Sequence, residues 1–197
     1  YGLNYNNTSE RPKYDHESLS QIASEKNIEA DKQAFINILN NWKARQTSAV
    51  PVMYIINVSG GGNRSATFTM NILQRLDSLL QGRLMQKTFL INGLGAAYFR
   101  ELYRRKMKGA SINLQNKQFV NDISKDLLNP LFSSFVARDL TAPAQRFSVG
   151  PYSYIKDRGY SFEQRFNENT HGLLNYRLRD YVGPEGKAEI PLMFFNS

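Results

Sequence analysis

An α/β fold with a mainly parallel sheet flanked by helices is what the sequence predicts, and three observations carry the prediction. Residues 52–58 (VMYIINV) and 88–91 (TFLI) are nearly continuous apolar runs without polar alternation, the pattern of strands buried on both faces. Each run ends in glycine, Gly60-Gly61-Gly62 after the first and Gly93 after the second. Behind each glycine turn the apolar residues recur at helical spacing. Strand, glycine turn and helix, repeated, is the alternation that builds a parallel sheet under helices.

Residues 1–12, rich in Asn, Ser, Thr and Gly without periodicity, read as an irregular opening segment. From Ile28, the residues Ala34, Phe35, Ile38, Leu39 and Trp42 recur at three- and four-residue intervals, which predicts a helix packed on the core. Ala66, Met70, Leu73, Leu76 and Leu80 mark a second helix, with Gly82 at its stop. A third helix is predicted over 94–108. Residues 117–140 read as one or two helices interrupted near Pro130, because Phe119, Ile123, Leu127 and Leu131 share a stripe. Residues 161–166 and 173–182 read as short helices, and residues 190–195 (IPLMFF) as a third buried strand. With no repeat and no low-complexity linker, residues 1–50 form an N-terminal irregular segment and helix, and residues 51–197 the main domain. A chain that closes on an apolar strand, with no helix after it, predicts further strands outside the sequence.

Composition narrows the chemistry. The 197 residues are 41% hydrophobic and 21% charged, ordinary for a globular domain with one sizeable core. The absence of cysteine excludes disulfide scaffolds, thiolate zinc sites and cysteine nucleophiles. His16 and His171 are too few for a multi-histidine metal site, so neither metal nor cofactor is expected. The net charge of +8 favours anionic partners such as nucleic acid or phospholipid surfaces. No stretch approaches the roughly 20 apolar residues that span a bilayer, which predicts a soluble domain, peripheral to or tethered at a membrane, with its compartment left open. The chain opens at Tyr1 without initiator Met or signal peptide and is read as part of a longer product.

Three glycines between a buried strand and a helix bring backbone N–H groups within reach of negative charge, because no Cβ blocks the approach. A dinucleotide site and an oxyanion hole both use such a loop, and a plain tight turn is the structural alternative. The dinucleotide pattern G-x-G-x-x-[GA] fits poorly, since Ser65 stands at its third glycine and Asn92 stands where an acidic ribose ligand belongs. The P-loop pattern has no match. Arg64 suits an anionic ligand, although a cation at a helix start opposes the dipole.

IINVSGGGNRSATFTMNILQRLDSL resembles the first strand, glycine-rich oxyanion loop and first helix of the patatin-like phospholipases. TFLING followed by LGAAYFRELYRRK is similar to the strand and helix that flank their nucleophile elbow, and the likeness continues through SKDLLNPLFSSFVARDLTAPAQRF and from Asp157 to IPLMFFNS. The resemblance implies a patatin-like three-layer α/β fold over residues 51–197, a catalytic domain incomplete at its C-terminus. It implies a lipid acyl hydrolase with a Ser-Asp dyad, an oxyanion hole at Gly60, Gly61, Gly62, Asn63 and Arg64, and an elbow flanked by Gly93, Leu94 and Gly95. A dyad needs no histidine and no cofactor. Lipid or phospholipid is the substrate, an anionic membrane surface a candidate partner, and nucleic acid is not expected because the cations are scattered.

The elbow of such enzymes reads G-x-S-x-G, whereas this chain reads Asn92-Gly93-Leu94-Gly95-Ala96-Ala97. Aligning Gly95 with the nucleophile fits less well than leaving about five residues missing between Gly93 and Leu94, where the sharp strand-to-helix turn would expose its serine. The segment either belongs to the encoded protein and is missing from this sequence, or is truly deleted, or was excised. The first is favoured, because the flanks keep active-site sequence around a missing centre. The catalytic aspartate is unassigned too: Asp139, Asp157 and Asp180 read as surface or helix-terminal residues. The rivals are a catalytically silent patatin-fold protein that binds lipid and, more distantly, a nucleotide-binding domain. Arg100, Arg104, Arg105, Lys106 and Lys108, interleaved with Phe99, Leu102, Tyr103 and Met107, fit a helix lying against anionic lipid, but the favoured expectation is that the cations face solvent and the C-terminal dipole while Phe99, Leu102 and Tyr103 pack inward. Tyr152, Tyr154 and Tyr160 fit an acyl cleft and a core equally.

Overall fold

The computed structural model describes residues 13–58, 62–141, 145–150 and 152–195. In chain order the elements are α1 (His16–Ile22), α2 (Glu25–Ala44), β1 (Tyr54–Ile56), α3 (Asn63–Leu79), α4 (Leu84–Lys87), β2 (Thr88–Asn92), α5 (Leu94–Met107), α6 (Gln118–Ser124), α7 (Leu128–Ser134), a π-helical turn (Phe135–Leu140), β3 (Arg146–Val149), β4 (Tyr152–Ile155), α8 (Arg158–Asn169), a 3₁₀ turn (Leu178–Tyr181), α9 (Val182–Gly186) and β5 (Leu192–Phe194). The class is mixed α/β, with a small parallel sheet flanked by helices. The predicted irregular segment, residues 1–12, lies outside the described residues.

The chain forms two compact units. The larger comprises Glu29–Lys125 and Gly172–Ser197, and its sheet has the order β1-β2-β5 with both pairs parallel. Ile56 pairs with Ile91, and Asn92 pairs with Phe194. Strand β2 is buried along nearly its whole length, as its unbroken apolar run predicts. Strand β1 is a correction: only Tyr54–Ile56 pair, and Ile55 is 64% exposed. It is an edge strand with one face uncovered, and an apolar run alone does not tell an edge from a centre. Strand β5 is shorter than the predicted 190–195, with Ile190 buried just before it and Phe194 and Phe195 exposed.

Helix α2 forms where the apolar period predicts it, but of its stripe only Trp42 is buried. Trp42 and Phe35 meet Phe89 of β2 edge-on, with centroids 6.2 and 5.4 Å apart. The helix leans on the sheet through its C-terminal half, so Phe35 remains exposed and core packing of the whole stripe is not observed. Helices α3 and α5 supply the central core through Ala66, Met70, Leu73, Tyr98, Phe99 and Leu102. The stop of α3 uses Gly82 at φ +78°, a left-handed position suited to glycine, whose N–H donates to the Asp77 carbonyl at 2.8 Å.

The cations of α5 are a second correction. Arg100 and Arg104 are buried, not solvated, because carboxylates and aromatic rings meet them inside. Arg104 grips Glu101 through two bonds of 2.7 and 2.8 Å, and Glu101 also accepts from Arg105 and from the Tyr181 hydroxyl, both at 3.3 Å. Arg100 pairs with Glu185 and donates to the Pro191 carbonyl at 2.9 Å, while Glu185 accepts from the Met193 N–H at 3.3 Å. This network fastens α5, α9 and β5 together. Lys106 and Lys108 face solvent as expected.

Burial pushes the Tyr181 hydroxyl up to about 12, helped by the charge of Glu101 and opposed by Arg100 and Arg104. Burial raises Tyr98 and Tyr103 as well. A tyrosine whose folded pKa exceeds its unfolded value of about 10 stabilises the fold fully below that value and loses the contribution as pH rises through the folded pKa. Stability should therefore fall between about pH 10 and pH 12, and Tyr181→Phe should show a shallower fall in thermal melts than the parent chain. Parallel slopes for the two proteins would remove Tyr181 from the account.

The described part of the smaller unit, drawn from Tyr1–Ile28 and Asp126–His171, holds α1, α7, the π turn, an antiparallel β3–β4 hairpin and α8. The helical break falls at residues 125–127 rather than at Pro130. Asp126 accepts from the N–H groups of Leu128 and Asn129 and so starts α7, leaving Pro130 in a first turn where its missing N–H costs nothing. The hairpin was not predicted: Arg146–Val149 and Tyr152–Ile155 are only four residues each, too short for their alternation to stand out, and the pairing is stabilised by Phe147 against Tyr154 and Tyr160 at 5.4 and 4.4 Å. Tyr154 and Tyr160 thus act in packing. Residues 158–169 form one helix longer than the predicted 161–166, whereas the predicted helix over 173–182 reduces to a 3₁₀ turn.

Candidate functional site

The site lies in the larger unit, at the C-terminal ends of β1 and β2, where α3 and α5 begin. Parallel pairing brings both strand ends to the same edge of the sheet, and Asn92 ties them: its Oδ1 accepts from the Val58 N–H at 2.7 Å and its amide donates to Asn57. The residue that fails the dinucleotide pattern thereby has a local task. Of the predicted oxyanion loop, Gly60 and Gly61 lie outside the described residues. Gly62 is the extended N-cap of α3, with φ −69° and ψ 158°, and its carbonyl accepts from the Ala66 N–H at 2.9 Å.

Asn63 opens the helix and anchors it, its side-chain amide donating to the carbonyls of Ser124 and Lys125 at 3.3 and 3.2 Å. Its Oδ1 is buried with no hydrogen-bond partner among the described residues. Arg64 is exposed in the first turn, without an ion-pair partner among those residues. A helix N-terminus leaves its first N–H groups outside the helical ladder, and with the dipole this end stabilises negative charge.

On β2 the single residue Gly93, at φ +84°, turns the chain into α5. Only glycine adopts this conformation without strain, and a strand-to-helix turn of this kind is where an elbow exposes its nucleophile. Leu94 starts α5 and Gly95 is buried against α3: a Cβ on Gly95 would lie 2.3 Å from the Ala66 carbonyl oxygen and 2.9 Å from Thr69 Cβ. The structure thus brings Gly62, Asn63 and Arg64 to one edge with Gly93, Leu94 and Gly95, as two helix N-termini side by side. The Gly93 turn itself, a single residue between β2 and α5, carries no serine.

The aspartates left unassigned have structural partners. Asp157 caps α8 by accepting from Tyr160 N–H at 2.9 Å, Asp180 accepts from Arg177 N–H at 2.9 Å, and Asp139 pairs with Arg158 at 2.9 Å. No group of three or more potential metal ligands occurs among the described residues, and none of their helices is long and apolar enough to cross a membrane. The buried Glu101 network escaped the sequence reading, although the spacing of Glu101, Arg104 and Arg105 at i, i+3 and i+4 was a usable signal. These features define a mixed α/β protein with two glycine-started helices at one sheet edge. Compared with known proteins, the chain matches no family model, no curated protein and no solved structure.

Proposed function

We propose that the protein is a patatin-like lipid acyl hydrolase, a phospholipase A-like serine esterase of three-layer fold. The observation that carries the reading is the pair of glycine-started helices, α3 and α5, at the C-terminal ends of adjacent parallel strands. This is the arrangement an acyl-transfer site requires, with oxyanion donors on one turn and a nucleophile elbow on the next. In the mechanism, a serine Oγ bonds to the ester carbonyl carbon while its proton passes to an aspartate. Backbone N–H groups of the Gly60-Gly61-Gly62 loop hold the oxyanion, and collapse breaks the ester bond as the alcohol leaves with the proton. Water then cleaves the acyl-enzyme. Exposed Phe68, Ile72 and Leu79 on α3, set among exposed Arg64 and Arg75, support contact with an anionic lipid surface.

The reading requires a serine-bearing segment between Gly93 and Leu94, which the sequence lacks. One observation favours a second reading, a silent lipid-binding protein: Gly93 alone joins β2 to α5, and the helix it starts is seated against α3. A tryptic mass map of fluorophosphonate-treated protein separates them through the peptide between Lys87 and Arg100. A hydrolase should give a heavier, labelled peptide and cleave a short-chain p-nitrophenyl ester. An unlabelled TFLINGLGAAYFR from a folded, inactive protein would leave lipid binding.

A further inference from the structure

The smaller unit contains a cavity of about 410 Å³ between α7 with its π turn and α8. Arg138, the half-buried cation of that turn, points its guanidinium to the Ser161 hydroxyl, Nη1 to Oγ at 2.9 Å, and stands 5.9 Å from the centre of the Tyr160 ring. No carboxylate pairs with Arg138 among the described residues, since its neighbour Asp139 is taken by Arg158 and Glu168 at the cavity rim is paired with Arg165 at 3.1 Å. A guanidinium has five N–H donors, and this one spends one of them on a neutral hydroxyl. Ser161, accepting that bond, keeps its own proton to donate. A cation with spare donors, drawn from water without a counter-charge, is a site for an anion.

The backbone is shaped for the same purpose. The π turn over Phe135–Leu140 carries Arg138, and such turns recur at functional sites. Its freed carbonyls are satisfied by Thr141, whose hydroxyl donates to Ala137 and Val136 at 2.8 and 3.3 Å, so the turn is stable without a ligand.

We propose that this cavity binds a phosphate group, with Arg138 as its charge partner, Ser161 as a hydroxyl donor, and Pro130, Ala137 and the Tyr160 ring covering the group that carries the phosphate. The proposal uses no residue of the glycine loops and stands apart from the hydrolase reading. A free phosphate ester and a phospholipid headgroup share this chemistry, and the probes separate them. The full chain, Arg138→Gln and Ser161→Ala are titrated calorimetrically with inorganic phosphate and with vesicles of phosphatidic acid in phosphatidylcholine. The parent should saturate with one of the two probes, inorganic phosphate at a dissociation constant of about 1 mM or tighter. Arg138→Gln should weaken that binding about tenfold or more, and Ser161→Ala about threefold. Saturation by phosphate alone identifies a free ester, and Arg138-dependent vesicle binding alone a headgroup. Should Arg138→Gln fail to fold, Ser161→Ala, which keeps the guanidinium, decides. Absence of saturable binding to either probe, or unchanged binding in the folded variants, would overturn the proposal.

Discussion

Replacing Glu101 by glutamine should lower stability by about 3 to 5 kcal/mol, the loss expected when a buried ion pair is broken by removing one partner. Glu101 is 1% exposed and balances Arg104, itself 6% exposed, while also receiving Arg105 and the Tyr181 hydroxyl. Glutamine keeps the shape but offers one acceptor oxygen to the four donor groups of Arg104, Arg105 and Tyr181, and the Arg104 charge stays inside unpaired. A guanidinium is not deprotonated in a protein interior, so Arg104 does not escape by losing its proton. Urea titration read through the single tryptophan, Trp42, which is itself in the core, measures the loss. Replacing the pair together, Glu101→Leu with Arg104→Met, should recover part of it, because the uncompensated charge is then gone. A loss below about 1 kcal/mol for Glu101→Gln would mean the carboxylate is solvated.

Gly95→Ala should destabilise by about 3 kcal/mol, the upper range for an overpacked core position, and Gly95→Ser by at least as much. The obstacle is backbone: the new Cβ would fall 2.3 Å from the Ala66 carbonyl oxygen, and a rigid helix yields less readily than a flexible side chain. The consequence reaches function. A nucleophile at position 95 has no room for its side chain, so the alignment that puts the elbow serine there fails sterically. If a serine exists, it belongs between Gly93 and Leu94. A Gly95→Ala variant within about 0.5 kcal/mol of the parent would show that α3 and α5 do not approach this closely.

The candidate site was legible in the sequence because its markers are local. Glycines at strand ends and apolar residues at helical period placed Gly93 and the starts of α3 and α5, since the positive φ of Gly93 and a helical stripe are properties of a few consecutive residues. The break before Leu128 and the β3–β4 hairpin were missed because each depends on short signals: an aspartate cap outranked Pro130, and aromatic contacts from α8 decided the hairpin.

The sequence by itself thus determined the mixed α/β class, the buried strand β2, the helices α2, α3 and α5 and the glycine turn at Gly93. Tertiary structure alone decided that β1 is an edge, that Phe35 stays exposed and that Arg100 and Arg104 are internal. Local periodicity reports which residues prefer burial, whereas actual burial depends on what the rest of the chain brings against them. Glu101 and Glu185 draw two arginines inward, and among the described residues no neighbouring element covers Ile55.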